Sequence, residues 1–217
     1  SVIIRRVCLN NGVWCACVCV AMGHGPGLAI RASGAPVSLG RGVDVGPVLS
    51  VSKTKILMAD TGFTLFTKLI QLGSVLIAKL LPKIAKQGFD FSTPQDRSKR
   101  NFFLKNRRID GTIDFNQKAS SVHRFIQALN YRPFASPLGH SFIDAPLCII
   151  EPIRVSVSKV APASPSMPGT ILKLDSECIS IACLDKSIQI KKFWFENKLI
   201  EAVEGAAVAG MRIGQVI

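Results

Sequence analysis

Acidic side chains and histidines are in short supply in this sequence. Its 217 residues hold 14 Asp and Glu against 27 Lys and Arg, with three His and a formal charge of +13. That balance favours an anionic partner, such as a nucleic acid, a phosphorylated small molecule or an acidic surface. Metal-site spacing is also lacking. The seven cysteines are Cys8, Cys15, Cys17, Cys19, Cys148, Cys178 and Cys183. The alternation of Cys15, Cys17 and Cys19 puts three thiols on one face of a strand. Neither a C-x-x-C pair nor a His pair accompanies them, so no metal centre is expected. An odd cysteine count without a disulfide framework predicts buried free thiols in a reducing, cytoplasmic compartment. No stretch of about twenty uncharged apolar residues occurs, so no transmembrane span and no membrane partner are expected. At 19% charged and 48% hydrophobic, the chain is too apolar for disorder and has ample material for a core.

What is present reads unevenly. Arg5 and Arg6 precede the apolar run Val13–Met22 in the manner of a signal peptide, but Asn10, Asn11 and Gly12 interrupt the approach, and a buried strand is expected. The following GHGPG reads as a plain turn, because it matches neither the P-loop nor the dinucleotide fingerprint. Residues 29–38 carry no clear period. From Arg41 a turn around Gly42–Pro47 leads to a strand containing Val48, Leu49, Val51 and Ile56. Asp60 and Thr61 then offer capping chemistry for a long helix, roughly Gly62 to Gln87. Leu65, Phe66, Leu69, Ile70, Leu76, Ile77, Leu80, Leu81 and Ile84 give it an apolar face. Gly88 ends the helix, and Pro82 is expected to kink or split its last turns. Covering a sheet is the commoner use of such a basic amphipathic helix; lying on a membrane is the other.

Between Gly88 and Ile109 comes a basic connection with Arg97, Lys99, Arg100, Lys105, Arg107 and Arg108, and with Phe102 and Phe103 among them. It fits two roles: contact with nucleic acid or phosphate, or a solvated linker whose rings pack on a neighbour. Asp110–Asn130 reads as a turn, a short strand and a helix with an apolar face of Phe115, Val122, Phe125, Ile126 and Leu129. His123 is expected on that helix's surface and His140 in a loop. Strand-like runs follow at 147–160, 169–175, 179–184 and 188–195, the last two forming a hairpin around Asp185-Lys186-Ser187. Short strands and turns predict a small β-barrel of the OB kind. Residues 199–217 read as a tail, weakly helical and then glycine-interrupted.

Three pieces, in this order, resemble the folate-dependent formyltransferase family, whose members include methionyl-tRNA formyltransferases and sugar-nucleotide N-formyltransferases. GVDVGPVLSVSKTKI with the helix after it is similar to the family's D-x-G-P-I/V-L strand and terminal helix. RRIDGTIDFNQKASSVHRFIQALN is similar to its R-x-x-x-DG-x-I-D-W/F junction. PGTILKLDSECISIACLDKSIQIKKF is similar to the PGTI…I-A-C-x-D-G-x-L-x-I pattern of its carboxy-terminal barrel.

The resemblance implies an α/β, Rossmann-like catalytic domain, here partial, followed by a small OB-like domain. The implied boundaries are an unassigned leader at 1–40, catalytic domain and linker at 41–109, the carboxy-terminal domain at 110–198 and a tail at 199–217. It also implies formyl transfer from 10-formyltetrahydrofolate to a primary amine on methionyl-tRNA or an amino sugar nucleotide. Such transfer needs an oxyanion donor and a proton relay. The family uses an Asn, a His and an Asp. The Asp corresponds to Asp44, with Gly46 beside it at the folate side. The N-x-H-P segment that carries the Asn and His is not reproduced in NNGVWCACVCVAMGHGPGLAIRASG, where His24 is the one histidine. This chain by itself is therefore expected to be inactive, and a non-catalytic RNA- or anion-binding module is the alternative. Lys99, Arg100, Lys105, Arg107 and Arg108 are the expected anion contacts. Tyr131 and Phe134 are expected to stack on a base or to pack against the barrel.

Overall fold

The computed structural model describes residues 49–88, 91, 93, 94, 96, 98, 110–136, 138–160 and 166–217, with the strand backbone at 2–3, 7–8, 15–22 and 28–35. Two compact units divide the chain: Ser1–Met58 with Thr64–Leu104, and Ala59–Phe63 with Lys105–Ile217.

The first unit contains β1 (Val2–Ile3), β2 (Val7–Cys8), β3 (Cys15–Met22), β4 (Leu28–Ala35) and β5 (Ser50–Thr54). They order as β1-β3-β4-β5 with β2 also on β3, and every pairing is antiparallel. The α/β, Rossmann-like part is expected at 41–109, of which this sheet contains only β5; β1 to β4 lie in the leader that the sequence leaves unassigned. A parallel pair needs a crossover of about a dozen residues or more, and only residues 23–27 separate β3 from β4. Strand β4 falls where the sequence offers no period, because Ala, Ser and Gly blur the contrast between its two faces.

Helix α1 spans Gly62–Gln87, as the apolar spacing predicts. Its terminus has the expected chemistry: Gly88 sits at φ +61 and its N–H donates to the Ile84 carbonyl at 2.8 Å. Pro82 lies inside the helix, so the expected split does not occur. Leu65, Leu69 and Gly73 are buried at successive turns. By length and composition α1 would also suit a membrane crossing.

The second unit is a curled antiparallel half-barrel with two helices, where a small barrel was expected. Its strands are β6 (Ile143–Asp144), β7 (Ile149–Val157), β8 (Ile171–Leu174), β9 (Ile179–Ala182), β10 (Ser187–Phe195) and β11 (Lys198–Glu201). They order as β6-β7-β10-β9-β8, with β11 also on β10. Strand β10 has three partners. Its first half pairs with β9, its second half with β11, and β7 runs along its other edge. A register shift between Ile190 and Phe193 falls where β10 changes neighbour, and a bulge there bends the strand and tightens the twist. Ile171, Ile179, Ile181, Ile188, Ile190 and Phe193 are fully buried along these strands.

Helix α2 (Ala119–Leu129) packs on this sheet through Ala119, Val122 and Ile126. Helix α3 (Ala202–Ala209) lies so close that a Cβ on Gly205 would come within 2.3 Å of the Phe193 ring. Residues 199–217, a tail by sequence, contribute Ile200, Ala202, Ala206, Ala209 and Met211 to the same core. The chain then runs beside β8, where Ile171 N–H donates to Gln215 O at 2.8 Å.

The residues that carry the family resemblance are fastenings in this unit. Asp110 Oδ1 accepts from Thr112 N–H at 3.0 Å, and Asp114 Oδ1 accepts from Asn116 N–H at 2.9 Å. Both are turns closed by a side chain. Gly111 passes so near the chain that a Cβ there would lie 1.9 Å from the His140 carbonyl oxygen. Gly169, at φ +88, has the Ile217 carbonyl oxygen 2.4 Å from its own Cβ position. The start of α2 has no side-chain cap from Lys118. Asp185 supplies one from the β9–β10 turn, accepting from Ala119 N–H at 2.8 Å across 66 residues of sequence.

Replacing Asp185 by Ala should therefore lower stability by about 1 kcal/mol, with Asn retaining most of it. Urea unfolding of the three proteins checks this; equal midpoints for Ala and wild type would contradict it.

Candidate functional site

The side chains that converge in the second unit come from the end of α2, the loop after it and the strands β7 and β10. Asn130 follows α2 in an extended conformation. Its Nδ2 donates to Ile153 O and its Oδ1 accepts from Arg132 N–H, both at 3.2 Å. That fixes Arg132 over β7, where its Nε donates to Glu151 Oε2 at 2.9 Å and Nη2 donates to the same oxygen. His140 Nδ1 lies 3.3 Å from Glu151 Oε1, too poorly aligned for a hydrogen bond. The guanidinium of Arg132 also stands 4.7 Å over the ring of Trp194, the register partner of Glu151.

Glu151 is only 7% exposed, and a buried carboxylate needs such compensation. One of its oxygens is taken by Arg132 and the other faces His140, so the cluster holds the loop on the sheet.

Tyr131 and Phe134 are both stacking candidates by sequence, and the structure separates them. Tyr131 is 6% exposed, and its ring fills the space beside Gly62, where a Cβ would come within 2.3 Å of Tyr131 Cε2. It is a packing residue with no face open to a base, because the α1 start runs directly over it. Phe134 is 57% exposed and pairs with Phe63 at 5.1 Å between centroids. Asp44, Gly46, His24, Lys99, Arg100, Lys105, Arg107 and Arg108 lie outside the described residues.

Several other titratable groups among the described residues are held in turns or buried. Backbone and side-chain hydrogen bonds from Thr112 hold the Asp110 carboxyl below its usual range. Those from Asn116 and Gln117 do the same for Asp114. The Lys173 partner and two backbone N–H groups bring Asp175 to about 2. Burial pushes the Cys183 thiol up to about 11 and raises Cys148 too, so neither is a thiolate nucleophile at neutral pH. Among the described residues no His, Cys, Asp and Glu group is placed to hold a metal ion. His123, expected on the helix surface, is buried because its position shares the core-facing side of α2 with Val122, Ile126 and Ala119. Burial is the main cause that lowers its pKa.

Sequence reasoning passed over Glu151, Arg132 and Trp194. The available signal was a lone carboxylate inside the apolar run IIEPI, since a charge buried in a strand must find a partner. Which cation would supply it was not legible.

Residues 106–207 match the family described as formyl transferase, C-terminal domain. The methionyl-tRNA formyltransferase of Acidovorax ebreus is 35% identical over 143 residues, 65% of this chain and 42% of that protein. That of Nitrosococcus oceani is 25% identical over 165 residues, 75% of this chain and 48% of that protein. The chain thus spans about half the length of the curated relatives it matches. In fold it is similar to WlaRD, a sugar 3N-formyl transferase, with TM-score 0.57 at 14% identity over 77% of this chain and 55% of that one. It is also similar to HypX from Aquifex aeolicus, with TM-score 0.57 at 15% identity over 87% and 33%.

Two measurements test the site. Arg132→Met strands a buried carboxylate and should cost roughly 3 kcal/mol; a urea midpoint unchanged from wild type would contradict the pairing. His123 has its folded pKa lowered, so the unfolded chain takes the proton first as pH falls. Its contribution leaves stability highest above the unfolded value of about 6.5 and declining below it. Stability measured at pH 7.5 and 5.5 should fall toward acid for wild type and fall less for His123→Gln; equal declines would count against a buried neutral imidazole.

Proposed function

Since the chain belongs to the formyltransferase family, we propose that it is the carboxy-terminal part of a machine transferring a formyl group from 10-formyltetrahydrofolate to a primary amine, and that alone it does not turn over. The observation that carries this reading is the nature of the family-like residues. Asp110, Gly111, Asp114, Gly169 and Asp185 are spent on turns, close backbone approach and a helix cap. They build a domain and leave the chemistry to others. Residues 41–109 are read as the end of the catalytic domain, with Asp44 as its carboxylate and Gly46 beside the folate. Without an Asn donor and a His beside it, Asp44 has neither an oxyanion donor nor an acid to position. Loss of one oxyanion donor alone costs about a hundred- to a thousandfold in rate.

The amine acceptor is a methionyl-tRNA or an amino sugar nucleotide. The curated relatives bear the first name, and the N-formyltransferase of Helicobacter canadensis was solved with folinic acid and dTDP-3-aminofucose. The charge distribution favours a second, non-catalytic role on an anionic polymer. Of the 27 Lys and Arg, only eleven fall from Asp110 onward, where ten of the 14 acidic residues also lie. The basic excess is therefore carried ahead of Asp110, where α1 and Lys99, Arg100, Lys105, Arg107 and Arg108 supply part of it.

Formyl transfer to methionyl-tRNA and to amino sugar nucleotides, assayed with the isolated 217-residue chain, should yield no folate-dependent product above background; product at ordinary enzyme rates would reject the reading. For the polymer role, tRNA binding should weaken steeply with salt. Reversing Lys79, Lys83 and Lys86 to Glu should reduce the slope of log K against log salt by about 1 for each phosphate that is no longer neutralised. A slope untouched by the triple reversal would remove α1 from that interface.

A further inference from the structure

Strand β7 has one long edge that no other strand covers among the described residues. Strand β10 takes the opposite edge along 151–157, and β6 reaches only Ile149 and Ile150. The alternation of an antiparallel ladder decides which groups leave the open edge. Ser158 N–H donates to Ser187 O at 2.9 Å, and the register continues through Val157↔Ile188, Ser156↔Gln189 and Val155↔Ile190. Ser156 therefore turns its N–H and carbonyl toward β10, while Val155 and Val157 turn theirs away from it. Ile153 is passed over where the register shifts, and its carbonyl faces α2 instead, accepting from Asn130.

Helix α2 stands over this edge. Asn130 Nδ2 donates to Ile153 O at 3.2 Å, and the His123 ring is hydrogen-bonded to the Val155 backbone. Both side chains are buried. Gln127 comes between them. At about 100° per residue the three fall within roughly 60° of arc, beside the core-facing Val122 and Ile126. Gln127 Oε1 and His123 Nδ1 are buried without a hydrogen-bond partner, so the row covers the edge without satisfying itself, which is costly and rare. An edge left open offers its unpaired N–H and C=O groups to another chain. We propose that the row His123–Gln127–Asn130 is a cover over a latent strand-pairing edge, and that this edge takes a second copy of the chain when the cover is lost. The edge is complementary to itself. Antiparallel pairing about a two-fold axis at Val155 sets Ile153 opposite Val157 and Arg154 opposite Ser156, so like charges do not meet. Residues 153–157 give a strand of ordinary length.

Light scattering on the full chain as it elutes from a sizing column tests this. His123→Ala with Asn130→Ala removes both contacts to β7, and far-UV circular dichroism confirms that the variant keeps its secondary structure. Its apparent mass should rise about twofold over that of wild type as concentration increases. Arg124→Ala, exposed on the same helix and outside the row, should leave the mass unchanged. A third substitution separates strand pairing from the association of a loosened fold. Val155→Pro removes an N–H that the pairing needs and leaves the β10 ladder intact, because that N–H points away from β10. Added to the double variant, it should restore the wild-type mass. Should the double variant not fold, His123→Ala and Asn130→Ala are read singly, each with a smaller rise. A folded double variant, or two folded single variants, with the wild-type mass at every concentration overturns the inference. Association that Val155→Pro does not reverse, or that Arg124→Ala also produces, overturns it as well.

Discussion

The pairing of β10 with three other strands is the constraint on which the carboxy-terminal unit depends. Nine residues, Ser187–Phe195, supply hydrogen-bonding edges to β7, β9 and β11 and place Ile188, Ile190 and Phe193 in the core. The irregularity at Ile190–Phe193 lets one strand serve two neighbours on the same edge. From it follow the curl of the sheet, the close seat of α3 against Phe193 and the position of the β9–β10 turn beneath α2. Each consequence joins residues distant in sequence, so the unit forms through non-local pairing.

Around that spine, charge is used mainly to fasten loops. Asp185 reaches from the β9–β10 turn to the start of α2, and Glu151 reaches from β7 to the loop after α2. The same helix is thus tied at one end by a cap and at the other by an ion pair over Trp194. Asp110 and Asp114 close the turns leading into it. A domain fastened in this way presents a fixed platform, and its near balance of acidic and basic residues gives it little net field for steering an anion. The basic excess lies in the sequence ahead of it, so attraction and rigidity are divided between different parts of the chain.

Much of this was legible, where local signals agree with the tertiary outcome. Helix α1 was readable to the residue because apolar spacing and Gly88 point the same way, and α2 because Val122, Ile126 and Leu129 repeat at helical intervals. The β9–β10 hairpin was marked by Asp185-Lys186-Ser187. Of the two outcomes that Pro82 suggested, a kink or a split, the split is absent, because a helix held by its other turns tolerates one missing N–H. The antiparallel order of β3, β4 and β5 was signalled only by the short connection at 23–27, in a leader that the sequence left unassigned. His123 was misplaced because its polarity outweighed its position on the core-facing side of α2. The partners of Asp185 and Glu151 were not legible at all, since a side chain's mate 66 or 19 residues away leaves no periodic trace.

Amide hydrogen exchange on the full chain tests most directly whether the carboxy-terminal unit is one cooperative domain organised by β10. Amides of β9, β10 and the core-facing residues of α2 should exchange slowest and together, at a rate set by global opening of that unit. The exposed last turns of α1, from Ser74 to Gln87, should exchange much faster. If α2 exchanged independently of β10, or if β10 exchanged as fast as the end of α1, the account of a β10-centred domain would be contradicted.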